Sequence, residues 1–199
     1  MLSFGLNELK EIVELGGREL EREDRYIAGC FARNAAYSVR SPDWFPGIMY
    51  MKYELYFQRV IARALLPSFP FRAQLEVRDA DERADLVLYH GNPAERVAVG
   101  EMKVAMEKGD ISKDAALVRP DIEKLKPLAC GQFILLFTLN DRRNTDCWIH
   151  QLKGELGILP ACELPRYIFP TEAHWANDPE RDREFGVVGV LLKECRGSG

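Results

Sequence analysis

The sequence lacks the segments that would place a chain in or across a membrane. No apolar run approaches the ~20 residues that a membrane-spanning helix needs. The first ten residues, MLSFGLNELK, contain no basic segment followed by an apolar one, so they do not resemble a secretory signal. We therefore expect a protein with no membrane contact and a cytoplasmic location.

Cysteine is scarce, and its spacing argues against disulfide and zinc frameworks. The cysteines are odd in number and never form C-x-x-C, which predicts reduced thiols that serve in packing. Cys147 and His150 have a C-x-x-H spacing, but a zinc site would need two or more further ligands at plausible spacing. We therefore expect no structural zinc. The five cysteines are Cys30, Cys130, Cys147, Cys162 and Cys195.

An excess of positive charge is also lacking. The formal net charge is −4 over 199 residues, whereas strongly basic nucleic-acid binders carry a basic patch. Nucleic acid is not excluded as a partner, because metal ions neutralise part of the phosphate charge and Arg and Lys can cluster on one face. The hydrophobic content of 47% and the charged content of 29% are ordinary for a globular protein. The length predicts a single domain or one domain with a small appendage.

Charged residues interrupt two strand-like segments in the middle of the chain. Two apolar runs flank the turn-like segment HGNPAE, which predicts a β-hairpin. Side chains alternate faces along a strand, so Glu101 and Lys103 should share one face of the second strand with Val97 and Val99. Asp85 lies in the first strand. The two runs are residues 84–89 and 97–104.

The presence of Asp85, Glu101 and Lys103 in otherwise apolar segments has two explanations. Burying a charge costs several kcal/mol unless the charge is paired or binds a metal. One explanation is an ion-pair cluster at a sheet edge, with Lys103 neutralising one carboxylate. The other is a divalent-metal site, because two carboxylates on paired strands offer hard oxygen ligands to an octahedral ion such as Mg²⁺. Lys103 would then orient a metal-bound water or stabilise charge developing on a phosphate.

This arrangement resembles the PD-(D/E)XK phosphodiesterase superfamily, which has the restriction-endonuclease-like fold. Asp85 matches the first acidic position and Glu101-Met102-Lys103 matches the E-x-K element, while Ala84 replaces the proline of the family name. The tripeptide alone is not specific, because Glu8-Leu9-Lys10 satisfies the same pattern in a predicted surface helix. The specificity comes from the context of an acid on one strand, a hairpin, and then E-x-K on the next strand.

The resemblance implies a Mg²⁺-dependent nuclease, with Mn²⁺ as a substitute ion and nucleic acid, DNA in the first instance, as the partner. Asp85, Glu101 and the backbone carbonyl of Met102 would bind the metal. Glu54, on the helix before the sheet, matches an extra acid by position, and its alternative is a solvated helix glutamate. Lys103 would place or deprotonate the attacking water. Cleavage would leave 5′-phosphate and 3′-hydroxyl ends.

Other functions stay open beside this one. A non-catalytic module of the same fold would recognise nucleic acid or a protein partner, and the acidic balance of the chain favours it. An effector or toxin nuclease would use the same chemistry in a different biology. Double-strand cutting would suggest a homodimer, or repeated nicking by a monomer.

Four basic residues on predicted helices are candidates for nucleic-acid contacts. Arg59 and Arg63 are four residues apart and share a helix face, whose alternative role is simple solvation. Lys113 and Lys124 lie on the outer face of the helix after the E-x-K strand. Lys124 also resembles the helix lysines that neighbour the site in some superfamily members.

The order of the predicted elements matches an αβββαβ core, an α/β fold with a mixed central sheet flanked by helices. Residues 1–42 form a helical extension broken at Gly16-Gly17, residues 43–196 form the nuclease-like domain, and residues 197–199 resemble a cloning remnant. The strand after the second core helix is expected to pair parallel to the Glu101 strand. The predicted elements are a helix at 47–66, strands at 71–78, 84–89 and 97–104, a loop at 105–112, a helix that follows this loop and has its inner face after Pro120, a strand at 131–139, a helix at 147–156, and short strands at 167–169 and 185–192 around a loop at 174–182.

Overall fold

Helices flank a six-stranded sheet of mixed direction in the computed structural model, so the chain is of the α/β class. The structure describes residues 3–32, 44–45, 54–79, 82–91, 94–105, 111–141, 145–158, 163–171, 174–175 and 183–195. The helices within these ranges are α1 (Leu6–Ala32), α2 (Glu54–Leu65), α3 (Ile111–Leu125) and α4 (Thr145–Leu156). The strands are β1 (Trp44–Phe45), β2 (Arg72–Asp79), β3 (Glu82–His90), β4 (Glu95–Ala105), β5 (Gly131–Asp141), β6 (Arg166–Pro170), β7 (His174–Trp175) and β8 (Arg183–Lys193).

The sheet has the strand order β2-β3-β4-β5-β8-β6. β4 and β5 are parallel, with Glu101 opposite Ile134, and the other neighbouring pairs are antiparallel. A parallel pair needs a crossover connection, and α3 lies in that connection. The predicted mixed sheet and its parallel pairing are therefore confirmed.

Each face of the sheet carries its own apolar core. α1 and α2 cover the first core, where Phe57 packs against Phe137 and Phe185 with ring centroids 5.0 and 5.6 Å apart. α3 and α4 cover the second core, where Val118 and Leu152 are fully buried. Burying one such side chain contributes roughly 1.5–3 kcal/mol. β5 supplies both cores, which explains its continuous apolar sequence: Phe133, Leu135 and Phe137 face the first core, and Ile134 and Leu136 face the second.

The predicted strands agree with the observed ones to within two residues at each end. One predicted face is wrong. β4 has a bulge between Arg96 and Ala98, so Val97 joins the first core together with Ala98, whereas Val99 faces the second. An extra residue in one strand shifts the alternation of side chains by one position. Glu101 and Lys103 come after the bulge, so they lie on the same face of β4 as Val99.

The predicted helix break at Gly16-Gly17 is also wrong, because α1 runs through both residues. A Cβ atom on Gly16 would lie 2.2 Å from Cδ1 of Ile61 in α2, and one on Gly17 would lie 2.4 Å from Cγ of Tyr167 in β6. The two glycines therefore permit close approach of α1 to its neighbours. The gain in packing offsets the intrinsic helix penalty of about 1 kcal/mol per glycine.

Helix α3 begins earlier than predicted. It starts at Ile111, where a loop was expected, and continues through Pro120 to Leu125. Ala115 and Val118 are fully buried in the second core. Their packing holds the first half of α3 in place although an interior proline costs roughly 3 kcal/mol.

Part of the predicted loop at 174–182 is a short strand, because Trp175 pairs with Trp44 and His174 with Phe45 in a separate two-stranded ribbon. Several predictions lie outside the described residues: the helix start at 47–53, the loop at 106–110 and the tail at 197–199. In the part of the chain that the structure describes, no helix is both long and apolar enough to span a membrane.

Candidate functional site

The candidate site lies where β3 and β4 part from each other. Leu86 and Gly100 are the last paired residues at this end of the hairpin. One residue further on, Oδ2 of the Asp85 carboxylate accepts a hydrogen bond of 2.9 Å from the backbone N–H of Met102, so a side chain takes the place of a backbone carbonyl. The N–H and C=O of a strand residue point to the same side. The Met102 carbonyl therefore also faces the gap between the two strands.

Strand β2 is distorted beside the same point. Glu76, the residue of β2 opposite Asp85, has a φ of 46°, a left-handed conformation that is rare for residues other than glycine. Residues two apart in a strand normally share a face, but Leu75 packs in the first core and Val77 in the second. The sheet is thus twisted locally where Asp85 leaves the regular ladder.

Glu101 is the most deeply buried acid of the site, with 3% of the residue exposed. Its Oε1 accepts a hydrogen bond of 2.6 Å from Nζ of Lys124 on α3. Burial raises the pKa of Glu101 to about 7, the hydrogen bond from Lys124 opposes this rise, and the negative charge of Asp85 adds to it. The two carboxylates that the sequence predicted to meet are therefore electrostatic neighbours.

Lys103 lies between acids from two helices on opposite faces of the sheet. Its Nζ is 3.3 Å from Oδ2 of Asp121 on α3 and 3.8 Å from Oε2 of Glu54 on α2. Burial acts to lower the pKa of Lys103, but the charges of Glu54 and Asp121 outweigh it, so the pKa is raised. Lys103 is therefore an ammonium group at neutral pH, a hydrogen-bond donor rather than a base.

Glu54 is the first residue of α2, and its carboxylate contacts Lys103 near the end of β4. Burial raises its pKa, Lys103 opposes the rise, and the charges of Asp85 and Asp121 reinforce it. The backbone N–H of Val104 donates a hydrogen bond to the Glu54 carboxylate. Glu54 therefore belongs to the same charge cluster as Asp85 and Lys103.

Asp121 is the residue that the sequence analysis missed. Its Oδ2 is buried and forms no hydrogen bond of acceptable geometry within the described chain, although Lys103 is its ion-pair partner. Asp121 and Lys124 lie three residues apart, so they are neighbours on one face of α3. The spacing of Asp121 and Lys124 could have been recognised in the sequence, as an acid and a lysine on one helix face that complement Glu101 and Lys103 of β4.

Among the other predicted basic residues, Arg63 is paired away from this cluster. Arg63 forms ion pairs with Glu19 and Glu23 on α1, and it follows Glu54 by nine residues, about 14 Å along the helix axis. Arg59 and Lys113 are exposed, on α2 and α3 respectively. Of the four candidate nucleic-acid contacts, Lys124 joins the described cluster through Glu101.

The donor chemistry of the cluster suits a hard divalent cation. Carboxylate and carbonyl oxygens are the ligands that Mg²⁺ prefers, and four acids against two lysines leave an excess of negative charge. Within the described ranges, however, no three His, Cys, Asp or Glu side chains are arranged to hold one ion. Three of the acids pair with lysines instead: Glu101 with Lys124, and Asp121 and Glu54 with Lys103. The ligand types fit, and the present arrangement is that of an ion-paired cluster.

The chain was compared with protein-family models, with curated proteins and with solved structures, and no match was found in any of the three comparisons.

Proposed function

We propose that this chain is a Mg²⁺-dependent phosphodiesterase of the PD-(D/E)XK type with a restriction-endonuclease-like fold. The element order α2, β2, β3, β4, α3, β5 supports this proposal, since it is the αβββαβ order of that fold. The observation that carries it is the hydrogen bond from the Met102 N–H to Asp85. That bond holds the acid of one strand against the E-x-K tripeptide of the next, at the point where the two strands separate.

Each residue of the cluster has a role in this proposal. Asp85, Glu101, the Met102 carbonyl and Glu54 would hold Mg²⁺, with Mn²⁺ as a substitute. When bound, such an ion supplies a water of lowered pKa and neutralises charge on the phosphate. Lys103, kept charged by two neighbouring acids, donates a hydrogen bond that orients the attacking water and stabilises negative charge on the phosphate oxygens.

DNA is the proposed substrate, hydrolysed to leave 5′-phosphate and 3′-hydroxyl ends as the family resemblance implies. The exposed Arg59 and Lys113 remain candidates for contacts with the phosphate backbone. Cutting of both strands would require a homodimer or two successive nicks by one molecule. The sequence specificity of cutting would depend on loops at the edge of the site.

Cleavage of supercoiled plasmid DNA tests the proposal. The wild type is expected to nick the plasmid with Mg²⁺ and to be inactive with a chelator. Asp85→Asn keeps an acceptor oxygen for the Met102 N–H but removes the charge, so it should fold and lose cutting. Glu123→Ala, which removes an exposed acid on α3, is the matched control and should cut normally. Unchanged cutting by purified Asp85→Asn protein would refute the assignment.

A non-catalytic module is the second candidate, and one observation favours it. Three acids of the cluster already have a lysine partner, Glu101 in Lys124, and Asp121 and Glu54 in Lys103. Such a network could serve stability alone. Calorimetry with Mg²⁺ and Mn²⁺ separates the two functions, because a module would bind nucleic acid or protein without binding the metal. An effector or toxin nuclease shares the proposed chemistry, and its gene neighbourhood would distinguish it.

A further inference from the structure

The two lysines of the site are held in different ways. Lys103 lies between two acids and 25% of its side chain is exposed. Lys124 has one ion-pair partner among the described residues, Glu101, and 40% of its side chain is exposed. Lysine carries its charge on a flexible four-carbon stem that reaches solvent readily. Lys124 is therefore the one that can leave the cluster without breaking several contacts.

If Lys124 leaves, the Glu101 carboxylate needs another cation as its partner. Only 4% of its side chain is exposed, and a buried carboxylate without a cation is strongly destabilised. At 2.6 Å, the Lys124 ammonium occupies the space beside Oε1 that a metal ion would use. An ammonium and a divalent cation on one carboxylate would repel each other at close range. The two cations therefore exclude each other.

We infer that Lys124 is a displaceable counter-ion, which neutralises Glu101 until a divalent cation binds and is then released to solvent. The inference rests on the proposed function and deepens it by naming what the metal must replace. It also accounts for the present arrangement, in which Glu101 is turned toward α3 and the described acids form no ready ligand group. The released ammonium is then free to pair with an anionic substrate.

Lysine labelling measures the release directly. The full chain is treated briefly with an amine-reactive ester, with a chelator or with Mg²⁺, and the acylation of each lysine is followed by mass spectrometry. Lys124 should be labelled severalfold faster with Mg²⁺. Lys126, which follows α3 and pairs with the exposed Glu123, is the internal control and should not change. Equal labelling of Lys124 in both conditions, in a protein that binds Mn²⁺, would overturn the inference and leave the metal site standing.

Affinity for Mn²⁺, measured by electron paramagnetic resonance at mildly alkaline pH, is the second readout. Lys124→Met removes the competing charge and should tighten Mn²⁺ binding by roughly fivefold, the size expected for one partly exposed ion pair. Lys126→Met removes the same charge from the same region and should leave the affinity unchanged. Equal tightening by both variants would reduce the effect to overall charge and contradict the inference. Absence of Mn²⁺ binding in the wild type and in Lys124→Met would overturn the proposed function and the inference with it.

Discussion

The Glu-x-Lys pattern occurs twice, once in helix α1 and once in strand β4, and its surroundings differ. In α1, Glu8 accepts a hydrogen bond of 2.8 Å from the Gly5 N–H, and Lys10 pairs with Glu163 at 3.0 Å in solvent. Residues two apart in a helix point about 200° away from each other, so these charges never meet at one place.

In β4 the same spacing puts Glu101 and Lys103 on one side of the strand, where α3 and α2 supply further charges. Both middle residues, Leu9 and Met102, are fully buried. The difference teaches that the tripeptide has chemical meaning only in an extended segment, where burial forces its charges to find partners or a ligand.

The largest expected difference between the two tripeptides is in activity. Lys103→Ala should lower the rate of Mg²⁺-dependent plasmid nicking by at least about 100-fold, because a group that stabilises developing charge is lost. Lys10→Ala removes the lysine of the helical tripeptide and should leave the rate unchanged. Thermal melting of both variants checks that they fold. Equal rates for the two variants would break the comparison.

The middle residues should behave alike. Leu9→Ala and Met102→Ala each leave a cavity in the first core and should lower the free energy of unfolding by about 2–5 kcal/mol. Urea unfolding of the two variants beside the wild type measures this loss. A loss confined to one of them would show that the two tripeptides also differ in how they are packed.

Substitutions of the two acids, Glu101 in β4 and Glu8 in α1, should change the free energy of unfolding in opposite directions. The pKa of Glu101 is raised from its ordinary value of 4.5 to about 7, so the folded state disfavours the ionised form, and wild-type stability should fall as the pH rises between these values. Glu101→Gln cannot ionise and should be more stable than the wild type above pH 7 by about 3 kcal/mol. The difference should vanish below the ordinary pKa.

Urea unfolding over a series of pH values, with a chelator present, measures this effect. A Glu101→Gln protein that is less stable than the wild type at alkaline pH would contradict it, because the buried charge would then be fully compensated by Lys124.

The smallest effect is expected at the helical acid. Glu8→Ala removes the acceptor of the Gly5 N–H at the start of α1 and should cost about 1 kcal/mol of stability, the usual value of a helix cap. Plasmid nicking should be unaffected. Urea unfolding at neutral pH checks the loss, and an effect on nicking would tie α1 to the chemistry.

Local signals in the sequence were enough to predict much of this structure. Alternation with period two predicted β2, and apolar runs predicted β3, β4 and β5. Charges inside such runs marked Asp85, Glu101 and Lys103, because burial of a charge is costly wherever it occurs. The parallel pairing of β4 and β5 followed from the helix between them. The metal, the substrate and the catalytic role remain predictions.

Other features of the structure depend on contacts between distant residues, which local sequence patterns do not predict. Asp121 matters only because α3 lies against β4, which brings its carboxylate to Lys103. A Gly-Gly pair such as Gly16-Gly17 is typical of a helix break. The sequence does not show that Ile61 and Tyr167 pack against these two glycines, where a side chain would clash. The bulge at Val97 moves this side chain to the other face of β4. Its position depends on how β4 pairs with β3, which the sequence of β4 alone does not show.

The left-handed residue in β2 has a consequence for self-association. β2 is an edge strand of the six-stranded sheet, and a long regular edge is a template on which a second copy can add its own strand. Glu76 interrupts that row of backbone groups, and its charge is exposed on the same edge. The opposite edge, β6, spans five residues and ends at Pro170. Among the described strands, continuous sheet extension between two molecules is therefore disfavoured at both borders of the six-stranded sheet.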